Sequence, residues 1–266
     1  MKRSLRTVAV TRYVTPLREG GSVPAIVEAD DDGMYVLKFR GAGQGPKALI
    51  AELLAGEIGR AADLPVPEIV LIQLDADLAR TEPDPEIQDL IRASGGLNVA
   101  LDYLPGAVTF DPVTHQPAPA LASAIVWFDA FVTNVDRTVR NTNMLMWHRQ
   151  LHLIDHGAAL YFHHSWSEDY LERSRDPFTR IRDHVLLPFA SVLQEAHESM
   201  LERLTPEVLR SLVSLIPDDL LRDLPGDDLF ASPGEYRAAY ERWLVRRLEP
   251  PHDFLTEALR AHAQLI

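Results

Sequence analysis

FDAFVTNVDRTVRNTNMLM (128–146), followed by LHLIDHG (151–157), is the stretch whose reading decides the fold. Its informative polar residues are Asp136, Asn141 and Asp155, with Asn141 five positions after Asp136. NMLMW (143–147) and LHLID (151–155) read as the strands of a hairpin around His148-Arg149-Gln150, which delivers Asp155 just ahead of Gly157. Singly, each of these residues is an ordinary turn former. In this order, joined by a hairpin, they have a chemical use. Phosphoryl transfer needs little covalent help from a protein. It needs a carboxylate to orient the attacking hydroxyl, and ligands that hold a metal ion against the phosphates. Mg²⁺ takes oxygen donors, commonly one or two carboxylates plus phosphate oxygens. Asp136 is therefore the candidate catalytic base, and Asn141 and Asp155 are the candidate metal ligands.

Upstream, PAIVE (24–28) and MYVLKF (34–39) read as short strands around the turn Asp30-Asp31-Asp32-Gly33. Lys38 sits among apolar neighbours, where a lysine either marks a sheet edge or is in use. The next segment, ALIAELLAGEIGRAA (48–62), has helical apolar spacing and is stopped by Pro65 and Pro67. It carries Glu52 and Glu57. A strand lysine that binds nucleotide phosphates pairs with a helix glutamate in protein kinases, so Lys38 joins Asp136 as a candidate catalytic and nucleotide-binding residue. Glu19-Gly20-Gly21-Ser22 precedes the first strand pair, and Gly20, Gly21 and Ser22 are candidates for a loop covering the phosphates. The more conspicuous GAGQGPK (41–47) fails as a P-loop, because Pro46 precedes Lys47 and Ala48 follows it. It reads as a flexible strand-to-helix connector. EIVLIQL (68–74) is a further strand, and NVALDYL (98–104) is another that ends at Pro105-Gly106. Backbone groups at Leu101, Asp102, Tyr103 and Leu104 are the candidates to read the adenine edge.

Residues 1–104 are thus mostly strands plus one helix, and 105–266 mostly helices plus one hairpin, beginning with the apolar helical run PALASAIVWFDAFVT (119–133). The expected fold is α+β and two-lobed, with a small β-rich N-lobe holding one helix, a larger helical C-lobe, and a hinge near Leu101–Gly106. The net charge of −13 argues against direct nucleic-acid binding. No run approaches a membrane span, and the first residues lack the apolar core of a signal peptide, so a cytoplasmic location is expected. With no cysteine, disulfides and thiol nucleophiles are excluded. His148, His152, His156, His163 and His164 crowd together without a HExxH motif, and no GxSxG supports a serine hydrolase.

The set is then specific enough to resemble a known family. YVLKF (35–39), AELLAGEIGRAADLPVPEI (51–69) and the Asn-x-Asp-x-x-x-x-Asn pattern at Asn134, Asp136 and Asn141 look like the HipA-like kinases, a branch of the protein-kinase-like fold. Counted back from Leu64-Pro65-Val66-Pro67, the family's helix glutamate falls on Glu52 rather than Glu57. The resemblance implies ATP and Mg²⁺ as cofactors, Asp136 as base, Asn141 and Asp155 as metal ligands, and Lys38 with Glu52 at the phosphates. It implies a protein serine or threonine as acceptor. A small-molecule or lipid-headgroup hydroxyl is the alternative acceptor, and a nucleotide-binding module without turnover is the alternative class. The likeness covers about 18 to 160, and on it the chain looks like a stand-alone, minimal relative.

Overall fold

The computed structural model describes residues 4–17, 23–43, 45–222, 224 and 229–265. The first five strands close into a barrel. They are β1 (Thr7–Pro16), β2 (Ala25–Ala29), β3 (Met34–Lys38), β4 (Ile69–Leu74) and β5 (Gly96–Asp102), in the order β1-β2-β3-β5-β4. Closure comes from β1, which runs antiparallel to β2 and parallel to β4. Alternate side chains point inward, so Val8, Val27, Leu37, Val70, Ile72 and Ala100 fill the barrel.

Two helices, rather than the single one expected, interrupt this part of the chain. They are α1 (Pro46–Ala61), between β3 and β4, and α2 (Pro85–Ala93), between β4 and β5. Each has proline in its first turn, where no N–H is needed. Asp84 caps α2 by accepting from the Glu86 N–H. The second helix, α2, falls in the polar, proline-bearing segment 75–96, where the sequence allows a short helix at 86–93.

Beyond β5 the short strand β6 (Val108–Thr109) pairs with the hairpin β7 (Met144–Trp147) and β8 (Gln150–Leu153). The helix α3 (Pro119–Phe131) lies between them in sequence. The remainder is helical: α4 (Tyr170–Arg173), α5 (Leu193–Arg203), α6 (Pro206–Val213), α7 (Asp218–Arg222), α8 (Pro233–Leu248) and α9 (Asp253–Ala263). No helix among the described residues is long and apolar enough to cross a membrane.

A second, larger core unites α1, α3 and the later helices with Ile69, Val99 and Leu101 from the outer face of the barrel. Caught between barrel and helices, α1 is buried on nearly every side, including Glu52 and Glu57. Such close packing needs small residues. A Cβ at Gly56 would run into Cδ1 of Ile69, and one at Gly59 would come within 3.0 Å of Val66 Cγ2. The segment after α1 is tied to the hairpin, since the Leu153 N–H donates to the Pro65 carbonyl at 2.8 Å. This is the physical use of Leu64-Pro65-Val66-Pro67: it seats α1 against the strand that leads to Asp155.

Candidate active site

Lys38 lies in the middle of the sheet, not at its edge. β3 pairs with β2 on one side and β5 on the other, with Lys38 opposite Val99. Because Leu37 points into the barrel, Lys38 points out of it, toward α1. Its ammonium is 2.8 Å from Asp155 Oδ1 and 3.8 Å from Glu52 Oε2. The Lys38 side chain is 11% exposed and Glu52 1%, whereas Asp155 is 39% exposed. Burial alone would favour neutral Lys38, but Glu52 and Asp155 outweigh it and raise its pKa. Burial likewise opposes charge on Glu52, yet Lys38 and the hydrogen bonds from His156 outweigh it and hold the carboxyl at about 2.

Asp136 sits on the loop between α3 and β7. Its Oδ2 accepts from Asn141 Nδ2 at 2.7 Å and Asn143 Nδ2 at 3.1 Å, and its own N–H donates to Asn134 Oδ1. The Thr138 N–H donates to the Asn141 carbonyl at 2.9 Å, closing the loop so that Asn141 turns back on Asp136. With the Asn141 amide nitrogen engaged by Asp136, its oxygen is the donor left for a cation. Asp155 follows β8 in a left-handed conformation, φ 54°, which is uncommon for a side chain of this kind and found where surrounding structure imposes it.

The loop rests on a sealed charge cluster. Arg137 Nε donates to Asp129 Oδ2 at 2.6 Å, and His184 approaches the same oxygen at 2.9 Å. Asn134 Nδ2 donates to Asp129 Oδ1 at 2.9 Å. His184 Nδ1 accepts from the Leu186 N–H, so the proton facing Asp129 is on Nε2. The other end of Arg137 donates to the carbonyl of Asn143, and the Ile154 N–H donates to that same carbonyl at 3.0 Å. One buried arginine therefore ties α3, the Asp136 loop and the strand before Asp155 together. Burial opposes charge on Asp129, but Arg137 and His184 hold it well below the usual carboxylate range.

Lys38, Glu52, Asp136, Asn141 and Asp155 all line one cavity of about 430 Å³. Its walls come from both sides of β5: Phe39, Ala42, Gly43, Ala48 and Leu49 from the barrel side, and Val135, Gly157, Ala158, Tyr161 and His164 from the helical side.

The model of the HipA-like kinase family matches residues 10–232. The chain belongs to the HipA-like kinase family. It is similar in fold to a proinflammatory kinase of Helicobacter pylori, CtkA, with a TM-score of 0.60 at 12% identity, over 96% of this chain and 99% of that one. A Golgi casein kinase structure with Mn/ADP bound aligns at a TM-score of 0.49 and 12% identity, over 97% of this chain and 73% of the other. No curated protein matches by sequence.

In this HipA-like kinase the five side chains singled out from the sequence converge, and other expected residues lie elsewhere. Leu101 and Leu104 are buried and, with Asp102 and Tyr103, are not among the residues lining the cavity. The Asp102 and Tyr103 N–H groups donate to the carbonyls of Glu68 and Met34. Gly20, Gly21 and Ser22 fall outside the described residues. The connector, in contrast, enters the site: Ala42 and Gly43 line the cavity, and its glycines were the available signal. The Asp129–Arg137–His184 cluster escaped sequence reasoning. Its signal was a carboxylate in the apolar run FDAFV (128–132), where no solvent face exists for it. Among the described residues, no group of three or more His, Cys, Asp or Glu side chains could hold a metal ion on its own.

Proposed function

We propose that this HipA-like kinase transfers the γ-phosphate of ATP, with Mg²⁺, to a hydroxyl acceptor, and that the acceptor is a serine or threonine of a protein. The convergence of Lys38, Glu52, Asp136, Asn141 and Asp155 on one cavity carries the reading. Lys38, held charged by Glu52 and Asp155, meets the phosphates. Asp136 orients the acceptor hydroxyl and takes its proton at a carboxylate oxygen. The oxygen donors of Asn141 and Asp155 suit Mg²⁺, which shares its ligands with phosphate and water, so a set of two protein ligands fits it. When bound there, the cation neutralises phosphate charge. Two lobes, 1–104 and 105–266, would meet at the cavity, with 101–104 as the hinge between them and Gly20, Gly21 and Ser22 over the phosphates. The absence of a membrane-crossing helix among the described residues and the strong negative charge favour a cytoplasmic enzyme without a nucleic-acid partner.

The test is label transfer from γ-labelled ATP to a Ser/Thr peptide library with and without Mg²⁺, using wild type, Asp136→Ala and Asp155→Ala. Wild type should transfer label only with the cation. Asp136→Ala should lose roughly 10²- to 10⁴-fold, the usual contribution of a positioned base. Equal transfer by wild type and both variants would sink the assignment.

A further inference from the structure

His156 follows the candidate metal ligand Asp155 and is completely buried. It meets Glu52, 104 positions earlier in the chain, twice. Its backbone N–H donates to Glu52 Oε2 at 3.1 Å, and its ring Nδ1 lies 3.4 Å from Glu52 Oε1. Both oxygens of one carboxylate are thus engaged by a single residue. The opposite ring nitrogen, Nε2, has no hydrogen-bond partner among the described residues, and the ring stands edge-on to Phe128 at 5.9 Å. A buried N–H without an acceptor is expensive, so the proton of the neutral ring belongs on Nδ1, facing the carboxylate. Gly56 of α1 lies beside the His156 ring. A Cβ there would lie at ordinary van der Waals distance, 3.8 Å, from the His156 Nδ1, besides colliding with Ile69.

We propose that His156 is a positioning residue that clamps both oxygens of Glu52 and so fixes the countercharge of Lys38. The inference rests on the phosphotransferase reading above. Lys38 sits closer to Asp155 than to Glu52, 2.8 Å against 3.8 Å. If Asp155 serves a cation, Glu52 is the carboxylate left to steady Lys38. Unclamped, Glu52 can turn about its side-chain bonds and leave the ammonium unplaced. The clamp also links α1 to the segment carrying Asp155, so the two halves of the cavity share one carboxylate orientation.

His156→Phe keeps a ring and removes the donor. His156→Asn places an amide N–H where Nδ1 stands. The measurements on the full chain are thermal midpoint, affinity for a fluescent ATP analogue with Mg²⁺, kcat and KM for label transfer, and ring nitrogen NMR in wild type and Glu52→Gln. A hydrogen bond to a charged group is worth roughly ten- to hundredfold, so His156→Phe should lower kcat/KM by about tenfold or more. His156→Asn should recover most of that loss even if its thermal midpoint is the lower of the two. The wild-type ring should show the Nδ1–H tautomer, with resonances that shift in Glu52→Gln. An Nε2–H tautomer, or equal kcat/KM in the Phe and Asn variants, overturns the proposal. A wild type that binds the analogue but transfers no label overturns the phosphotransferase reading instead, and the ring resonances still decide the clamp.

Discussion

Two clusters of opposite charges flank the loop that carries Asp136, and they differ in what surrounds them. Around Asp129, every partner is buried: Asp129 and Arg137 side chains are 0% exposed and His184 3%. Around Asp155, Lys38 and Asp136, the groups open on the cavity. In the first cluster the carboxylate is satisfied, its oxygens taken by Arg137, His184 and Asn134, while Arg137 Nη2 is buried without a hydrogen-bond partner among the described residues. In the second, Asp155 keeps substantial exposure while Lys38 already neutralises one of its oxygens. A sealed network fixes geometry, because each member loses heavily if it moves. An open one can exchange its partners for a ligand. The sequence places the two within eight positions of each other, at Asp129 and Asp136, and burial alone separates their uses.

The comparison breaks most visibly at Asp129. Asp129→Asn leaves Arg137 buried without its countercharge, which costs about 3–5 kcal/mol. Thermal or urea unfolding should show the loss. Asp136→Asn, at the open cluster, should leave the unfolding midpoint nearly unchanged while abolishing most label transfer. If Asp129→Asn matched wild type in unfolding, the sealed network would not be what holds the loop.

A smaller effect follows from acid. A carboxyl whose pKa is lower in the folded chain binds fewer protons there than in the unfolded chain, so stability rises with pH over that interval. Glu52, held at about 2, contributes fully above its ordinary value of 4.5 and loses that contribution as pH falls toward 2. Asp129 behaves alike, from its ordinary value of 3.8 downward. Wild-type stability, followed by urea titration at successive pH values, should fall steeply below about pH 4.5. Asp129→Asn should start lower and fall less. Parallel curves would assign the acid sensitivity elsewhere.

What the sequence disclosed follows the same division. That Lys38, Glu52, Asp136, Asn141 and Asp155 would share one cavity was legible because a phosphotransferase reading asks for fixed residue types at fixed spacings, and the elements around them alternate cleanly. β1 was not. Only Val8 and Val10 of its first half are buried, while Thr11, Arg12, Thr15 and their neighbours are largely exposed, so the alternation that marks a strand fades along it. Barrel closure is a long-range pairing of β1 with β4, which no local pattern encodes. The Asp129 network was hidden for a related reason. Its partners Arg137 and His184 are brought together by the packing of the segment before α5 against the loop, through the Thr138–His184 bridge and the Val185 N–H on the Arg137 carbonyl.

The connector between β3 and α1 offers the finest test of where the open cluster ends. Gly43 has a φ of +54°, and a Cβ added there would meet nothing within 4 Å. Gly43→Ala therefore introduces backbone strain without a clash, worth about 1 kcal/mol. That should lower the unfolding midpoint slightly, and less than Asp129→Asn does. Its effect on nucleotide binding is the sharper readout. If the Gly43 backbone approaches phosphates at the cavity wall, displacing it should weaken binding of an ATP analogue with Mg²⁺ by several-fold, beyond what the loss of folded protein explains. Unchanged affinity beside a lowered midpoint would restrict the connector to a turn, and the open cluster would then end at Lys38 rather than extend into the glycines that follow it.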